Sequence, residues 1–199
     1  DWNVQLYDSN DRRNFIATHF SDEVLWAYDQ LIPGAYQADL WRYCILYIEG
    51  GVYADIKLRL LLPLQEIIDP TATFVTVIDK GFPSILNIHN DINPYLMQGF
   101  LASKPNHIAL KNAIHEIVKY VKEGNYSVDY LSITGPGLLG RVINRILNRE
   151  PLSNYKAGCY KTGGDTYQLL PVWDTDKKLF LDQKNRPFIS RHCSGYRKN

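Results

Sequence analysis

Residues 35–57 constrain the fold of this chain more than any other stretch. Their sequence is AYQADLWRYCILYIEGGVYADIK. Leu40, Trp41, Tyr43, Cys44, Ile45, Leu46 and Tyr47 leave almost no polar face on the helix this segment predicts, and a helix that is apolar nearly all round is a buried one. Two charges, Asp39 and Arg42, are embedded in it, three positions apart and on one face. A plain helix ion pair here is worth about 0.2–0.5 kcal/mol. A buried charge, however, must be paired or used, and the apolar surroundings tilt the reading towards use. An aspartate accepting two sugar hydroxyls beside an arginine donor is a sound monosaccharide clamp.

Gly50 and Gly51 end this helix where a left-handed residue is commonly needed. Residues 51–54 then read as a strand, and Asp55 and Lys57 point to one side if that strand runs on. Three or four polar groups thus converge at the carboxyl end of a strand, where open α/β sheets bind ligands. Asp55 suits a divalent cation or a ribose or sugar hydroxyl. Metal-bridged phosphates use one or two carboxylates, and a second is absent because position 57 is lysine. The competing reading of Asp55 and Lys57 is a surface pair worth under about 1 kcal/mol.

Length and charge narrow the classes. With 199 residues and 45% hydrophobic content, the chain is expected to form a single domain over residues 1–199 with a sizeable core. Its net charge of +1 lacks the footprint of a nucleic-acid binder. The three cysteines, Cys44, Cys159 and Cys193, have neither zinc-site nor disulfide-framework spacing. The five histidines form no metal-ligand pattern, and no serine-centred elbow occurs. No run has the length of a membrane span. The 14 tyrosines suit either core packing or a pocket that stacks on flat or sugar-like ligands.

Along the chain, residues 3–7 alternate as a short strand does. Asp11 and Ser21 are expected to cap two helices, and Pro33-Gly34 separates the second from the helix described above. Strands are expected at 73–78, 84–88 and 95–103, the last with a bulge at Met97-Gln98-Gly99. A helix capped by Asn106 carries an apolar stripe to about Lys122. Thr134-Gly135-Pro136-Gly137 opens another helix and offers backbone N–H groups to an anion, although it lacks the lysine of a P-loop; a structural loop is the competing reading. Short strands at 158–161, 166–172, 178–181 and 188–191 close the chain. The pattern predicts a mixed α/β sheet with an antiparallel extension.

The motif Ala38-Asp39-x-x-Arg42-Tyr43-x-x-Leu46-Tyr47-x-x-Gly50-Gly51-Val52-Tyr53-x-Asp55 resembles the core of glycosyltransferases with a DXD-type sugar-binding region. That family includes fungal initiating mannosyltransferases, α-1,4-galactosyltransferase-like enzymes and, more distantly, clostridial glucosylating toxins. The resemblance implies a GT-A fold, a mixed central sheet flanked by helices, and retaining transfer of a hexose from a UDP- or GDP-sugar to a glycan, lipid or protein acceptor. It implies that Asp39, Arg42 and Tyr53 bind the donor sugar. Asp55 and Lys57 then act in catalysis and on the nucleotide diphosphate, joined there by Ser194 and Tyr196, and Thr134 and Gly135 lie on the acceptor side. The cofactor is Mn2+ or Mg2+, held by Asp55. Two departures stand out. Lys57 replaces the second aspartate of the motif, the direct metal ligand, so metal independence is an expectation and a weakened sugar-nucleotide-binding module is the alternative function. The family's first strand, which helps to bind the base, is also missing. The sequence does not fix a location: it is cytoplasmic if the setting is bacterial or viral and the Golgi lumen if an upstream anchor has been removed, with membrane association expected only through segments outside this sequence.

Overall fold

The computed structural model describes residues 2–79, 94–125, 131–171, 179–182 and 184–191. Its elements run α1 (Ser9–His19), α2 (Asp22–Gln30), α3 (Gly34–Glu49), β1 (Gly51–Ala54), β2 (Leu58–Leu60), α4 (Leu64–Ile67), β3 (Phe74–Ile78), β4 (Leu96–Ser103), α5 (Ile108–Glu123), α6 (Pro136–Ile146), β5 (Gly158–Thr162), β6 (Asp165–Leu170), β7 (Leu179–Leu181) and β8 (Pro187–Arg191). The expected strand at residues 84–88 lies outside the described residues.

The central sheet is mixed, in the order β1-β4-β3-β6-β5. Strands β3 and β6 run parallel and the other neighbours antiparallel. A second sheet, β2-β8-β7, is antiparallel throughout. The alternation of strand side chains divides the core. Phe74 and Ile78 face the helices, where they join Leu40, Tyr43, Leu46, Leu110, Ile117, Leu139 and Ile143. Val75 and Val77 face the other way and meet Phe180, Phe188, Ile189 and the α4 residues Leu64 and Ile67. The sheet is thus covered by long helices on one face and by α4 with the small sheet on the other. The expected mixed α/β fold is present.

Local chemistry accounts for the helix ends, with several corrections to the expectations above. Asp8, not Asp11, caps α1, accepting from the N–H groups of Asn10 and Asp11, while the Asp11 side chain accepts from the Asp8 N–H to complete a capping box. His107, not Asn106, caps α5, its ring accepting from the Ala109 N–H at 3.2 Å. Asn106 itself takes φ 57, a left-handed geometry that asparagine tolerates. Ser21 precedes α2 without a side-chain cap bond. Gly50 ends α3 with φ 68, and a Cβ there would lie 2.6 Å from the Pro105 ring, so both backbone and neighbour demand glycine.

Residues 3–7 are not a strand. Their alternation would need a ladder partner, since unpaired backbone groups are satisfied only by a neighbouring strand or by water. Here Val4 and Leu6 are 81% and 80% exposed, and the segment runs along one wall of a groove. The strand β1 stops at Ala54, and the Leu58 N–H donates to the Asp55 carbonyl at 2.8 Å, closing a turn. Lys57 therefore nears Asp55 through a turn and not through strand alternation.

Candidate sugar-binding site

Two structural events build the site. The first is the α3–β1 connection, which sets Asp39 and Arg42 of the helix beside Tyr53 and Asp55 of the strand end. The second is an irregularity in β4: its pairing with β3 shifts register between Val75 and Val77. Leu96 and Gln98 face the helices before the irregularity, whereas Phe100 after it faces the small sheet. The bulge thereby aims both the side chain and the carbonyl of Gln98 at α3.

Asp39 and Arg42 are 8% and 7% exposed. Arg42 Nη2 lies 2.9 Å from Asp39 Oδ1. Its Nη1 donates to the Gln98 carbonyl at 2.9 Å and lies 3.7 Å from Asp55 Oδ1. The guanidinium also sits 4.7 Å above the Tyr53 ring, within cation–π range. Tyr53 in turn donates its hydroxyl to Asp55 Oδ1 at 2.9 Å. Thr134, just before α6, donates to Asp39 Oδ2 at 2.7 Å. Tyr43 donates to Gln98 Oε1 at 2.6 Å.

Burial raises the Asp39 carboxyl above its ordinary range, opposed by Arg42, Thr134 and Gln98. Burial also works against the Arg42 charge, but Asp39, Tyr53 and Asp55 outweigh it and hold the guanidinium protonated. Burial pushes the Tyr53 phenol up, so it remains a hydrogen-bond donor. Asp55 keeps a half-exposed side chain. Its place over β4 depends on Gly99, where a Cβ would come within 2.8 Å of Asp55 Oδ2, and its N–H donates to the Gly99 carbonyl at 2.8 Å.

Arg42, Tyr53, Asp55 and Lys57 line an open groove of about 910 Å3 between residues 2–8 and the α3–β1 connection. Trp41 lines it too, with a buried indole N–H that meets no acceptor among the described residues. Asp39 sits behind Arg42. Thr134 and Gly135, expected on the acceptor side, are both buried, and the Thr134 hydroxyl is turned to Asp39. Ser194 and Tyr196 lie outside the described residues. Sequence reasoning gave no role to Gln98 or Tyr43. The one available signal was a glutamine inside an otherwise apolar strand, at a position already marked for a bulge.

No group of three or more His, Cys, Asp or Glu among the described residues is placed to hold a metal ion. At the motif itself Asp55 is a single carboxylate with one oxygen already engaged by Tyr53, and position 57 supplies an ammonium. By themselves these residues do not fit a metal site of the two-aspartate type.

The chain is similar to several known proteins. The chain is 30% identical over 103 residues to an uncharacterized glycosyltransferase of Acanthamoeba polyphaga mimivirus, a match covering 52% of this chain and 37% of the relative. The solved structure of PaToxG glycosyltransferase superposes with a TM-score of 0.49 at 16% identity, covering 66% of this chain and 43% of that one. The chain thus spans less than half the length of either. The family model described as the glycosyltransferase sugar-binding region containing the DXD motif matches residues 2–74. That span includes Asp39, Arg42, Tyr53 and Asp55, so the segment that carries the candidate site is similar to a glycosyltransferase sugar-binding region.

Proposed function

We propose that the protein is a retaining glycosyltransferase of GT-A type that moves a hexose from a UDP- or GDP-sugar to a glycan, lipid or protein acceptor. The observation that carries this reading is the buried Asp39–Arg42 pair, held by Tyr53, Gln98 and Thr134, in which Arg42 lines the groove together with Asp55 and Lys57 and Asp39 stands behind it. A pair kept only for stability has cheaper apolar substitutes. Asp39 and Arg42 hold the donor sugar, and Tyr53 supports it through the Arg42 guanidinium. Asp55 takes a ribose or sugar hydroxyl. Loss of the nucleoside diphosphate leaves oxocarbenium-like charge on the sugar, so catalysis rests on positioning and on stabilising the leaving group. Lys57 supplies part of that stabilisation as a fixed cation. Ser194 and Tyr196 belong to the same proposal as diphosphate contacts.

A screen of nucleotide sugars for transfer and donor hydrolysis, with and without manganese, tests this reading. Transfer by D39N at the wild-type rate would sink it. Lys57 favours one second reading, a module that binds a sugar nucleotide without turning it over. Calorimetric binding with no hydrolysis or transfer would select that module. Among the described residues no helix is long and apolar enough to cross a membrane.

A further inference from the structure

We propose that the free edge of β1 binds an extended polypeptide, and that this polypeptide is the acceptor: a strand laid along β1 carries a serine or threonine hydroxyl to Asp55 and Lys57. This rests on the glycosyltransferase reading above and narrows its acceptor to protein.

β1 is the outer strand of the central sheet. The Asp55 N–H donates to the Gly99 carbonyl, and the register continues with Tyr53 opposite Leu101 and Gly51 opposite Ser103. Bonded pairs alternate along an antiparallel ladder, so Val52 and Ala54 turn their N–H and C=O groups away from β4. These groups have no partner among the described residues. Sheet edges are ordinarily blunted by a charge, a proline or a covering element. β1 reads Gly-Val-Tyr-Ala, with neither charge nor proline, and it lines the groove along its whole length. The Trp41 indole N–H lies on the same groove, buried and without an acceptor among the described residues. A peptide carbonyl supplies that acceptor after a slight turn of the ring. An edge of this kind takes an extended peptide as an added strand.

Charge sets the sequence that the groove accepts. At one end Asp8, Asp11 and Glu49 surround Tyr7 and outnumber Arg12. Glu49 closes α3, where the helix dipole is negative and the last turn holds no basic residue. A lysine or arginine suits that end. Asp55 and Lys57 mark the other. From Gly51 to Asp55 is four residues, about 13 Å along a strand, so the basic residue stands four positions from the hydroxyl. In transfer, the hydroxyl oxygen bonds the anomeric carbon while that carbon's bond to the diphosphate oxygen breaks. The bonding pair leaves with the nucleoside diphosphate, which also takes up the hydroxyl proton.

The test uses short Thr/Val peptides with one serine and a lysine four positions before or after it. Binding is read by calorimetry without donor, and transfer by mass spectrometry with the accepted nucleotide sugar. One of the two peptides is expected to bind wild type; N-methylation of its central residues should abolish binding, and N-methylation at its ends should not. A54P removes one outward N–H, a change that an edge strand tolerates, and W41F removes the indole N–H. Each is expected to weaken binding about 2–13-fold, the range of one neutral hydrogen bond, with melts to verify that both variants fold. E49Q should weaken the lysine peptide and not its alanine counterpart. No binding by either peptide, or binding indifferent to central N-methylation, overturns the proposal, and transfer to sugars or lipids would then leave the glycosyltransferase reading standing. Donor turnover that never modifies a bound peptide refutes the acceptor role alone. Peptide binding without hydrolysis or transfer of any nucleotide sugar refutes the glycosyltransferase reading and the acceptor role with it. A crystal structure in which a segment of the protein's own chain pairs with β1 also overturns the proposal.

Discussion

Arg42→Met is the most informative single change, because it removes the cation while keeping an unbranched chain of similar reach. The Asp39 carboxylate would remain buried without its partner at 2.9 Å. Breaking a buried pair from one side costs about 3–5 kcal/mol. The discount due to exposed ion pairs does not apply, because both residues are under a tenth exposed. The Gln98 carbonyl would also lose its donor and Tyr53 its cation, which pushes the cost to the upper part of that range. For a chain of this length 3–5 kcal/mol corresponds to a Tm lower by about 6–20 °C. The pH dependence follows from Asp39. Its folded-state pKa lies above its unfolded value because burial outweighs its partners, so the ionised form opposes folding, and that opposition fades as pH falls through the folded pKa towards the unfolded one. Without Arg42 the folded pKa rises further. The deficit of R42M against wild type is therefore widest at neutral pH and narrows on acidification, and adding D39N, which removes the stranded charge, recovers part of it. Denaturant melts of the three proteins at neutral and mildly acidic pH read all of this. A deficit below about 1 kcal/mol, the scale of an exposed pair, or one that is equal at both pH values, would refute the reasoning.

Two further outcomes are expected. Wild-type turnover should survive chelation, and K57D, which restores a second carboxylate, should become dependent on manganese; full loss of wild-type activity on chelation, reversed by manganese, would remove Lys57 from the role given to it. His107 is fully buried, and burial, with Lys104 adding to it against Asp165, pulls its pKa down to about 4. The folded state then binds fewer protons than the unfolded one between that value and the ordinary histidine pKa, so stability falls as pH drops through this window. H107N keeps an acceptor for the Ala109 N–H and should flatten that part of the stability profile, which pH-dependent melts would show.

The parts of the fold legible in the sequence are those whose cause is local. Of the expected stripe of Ile108, Ala109, Ala113, Ile114, Ile117, Val118 and Val121, all but Ile108, which is 40% exposed, lie on the buried face of α5, and Gly124 ends the helix with φ 59, a conformation that glycine takes without a Cβ penalty. Partnership was not legible. Residues 3–7 alternate as a strand does yet have no ladder, because alternation states which face a strand would bury and not whether a neighbour exists. The β2-β8 pairing is the converse: three residues around Arg59 join a segment near the other end of the chain, and nothing local marks the partner. The cap of α5 fell to histidine because the His107 ring is locked against Phe74 and Tyr167, a tertiary constraint that overrides the usual ranking of capping residues.

The site divides along the same line, and the division explains why its chemistry reads differently in three dimensions. Asp39, Arg42, Tyr53 and Asp55 lie within one short stretch, so spacing alone brought them together. Gln98 stands 56 positions from Arg42, and Thr134 stands 95 from Asp39. Seen without those two residues, the Asp–Arg pair is an open clamp with acceptors to spare. With them, Thr134 occupies one carboxylate oxygen and the Gln98 carbonyl takes one guanidinium nitrogen, so the pair is braced from two distant places in the fold. The short motif brings the two charges together, while the bulge in β4 and the loop before α6 fix how they are held.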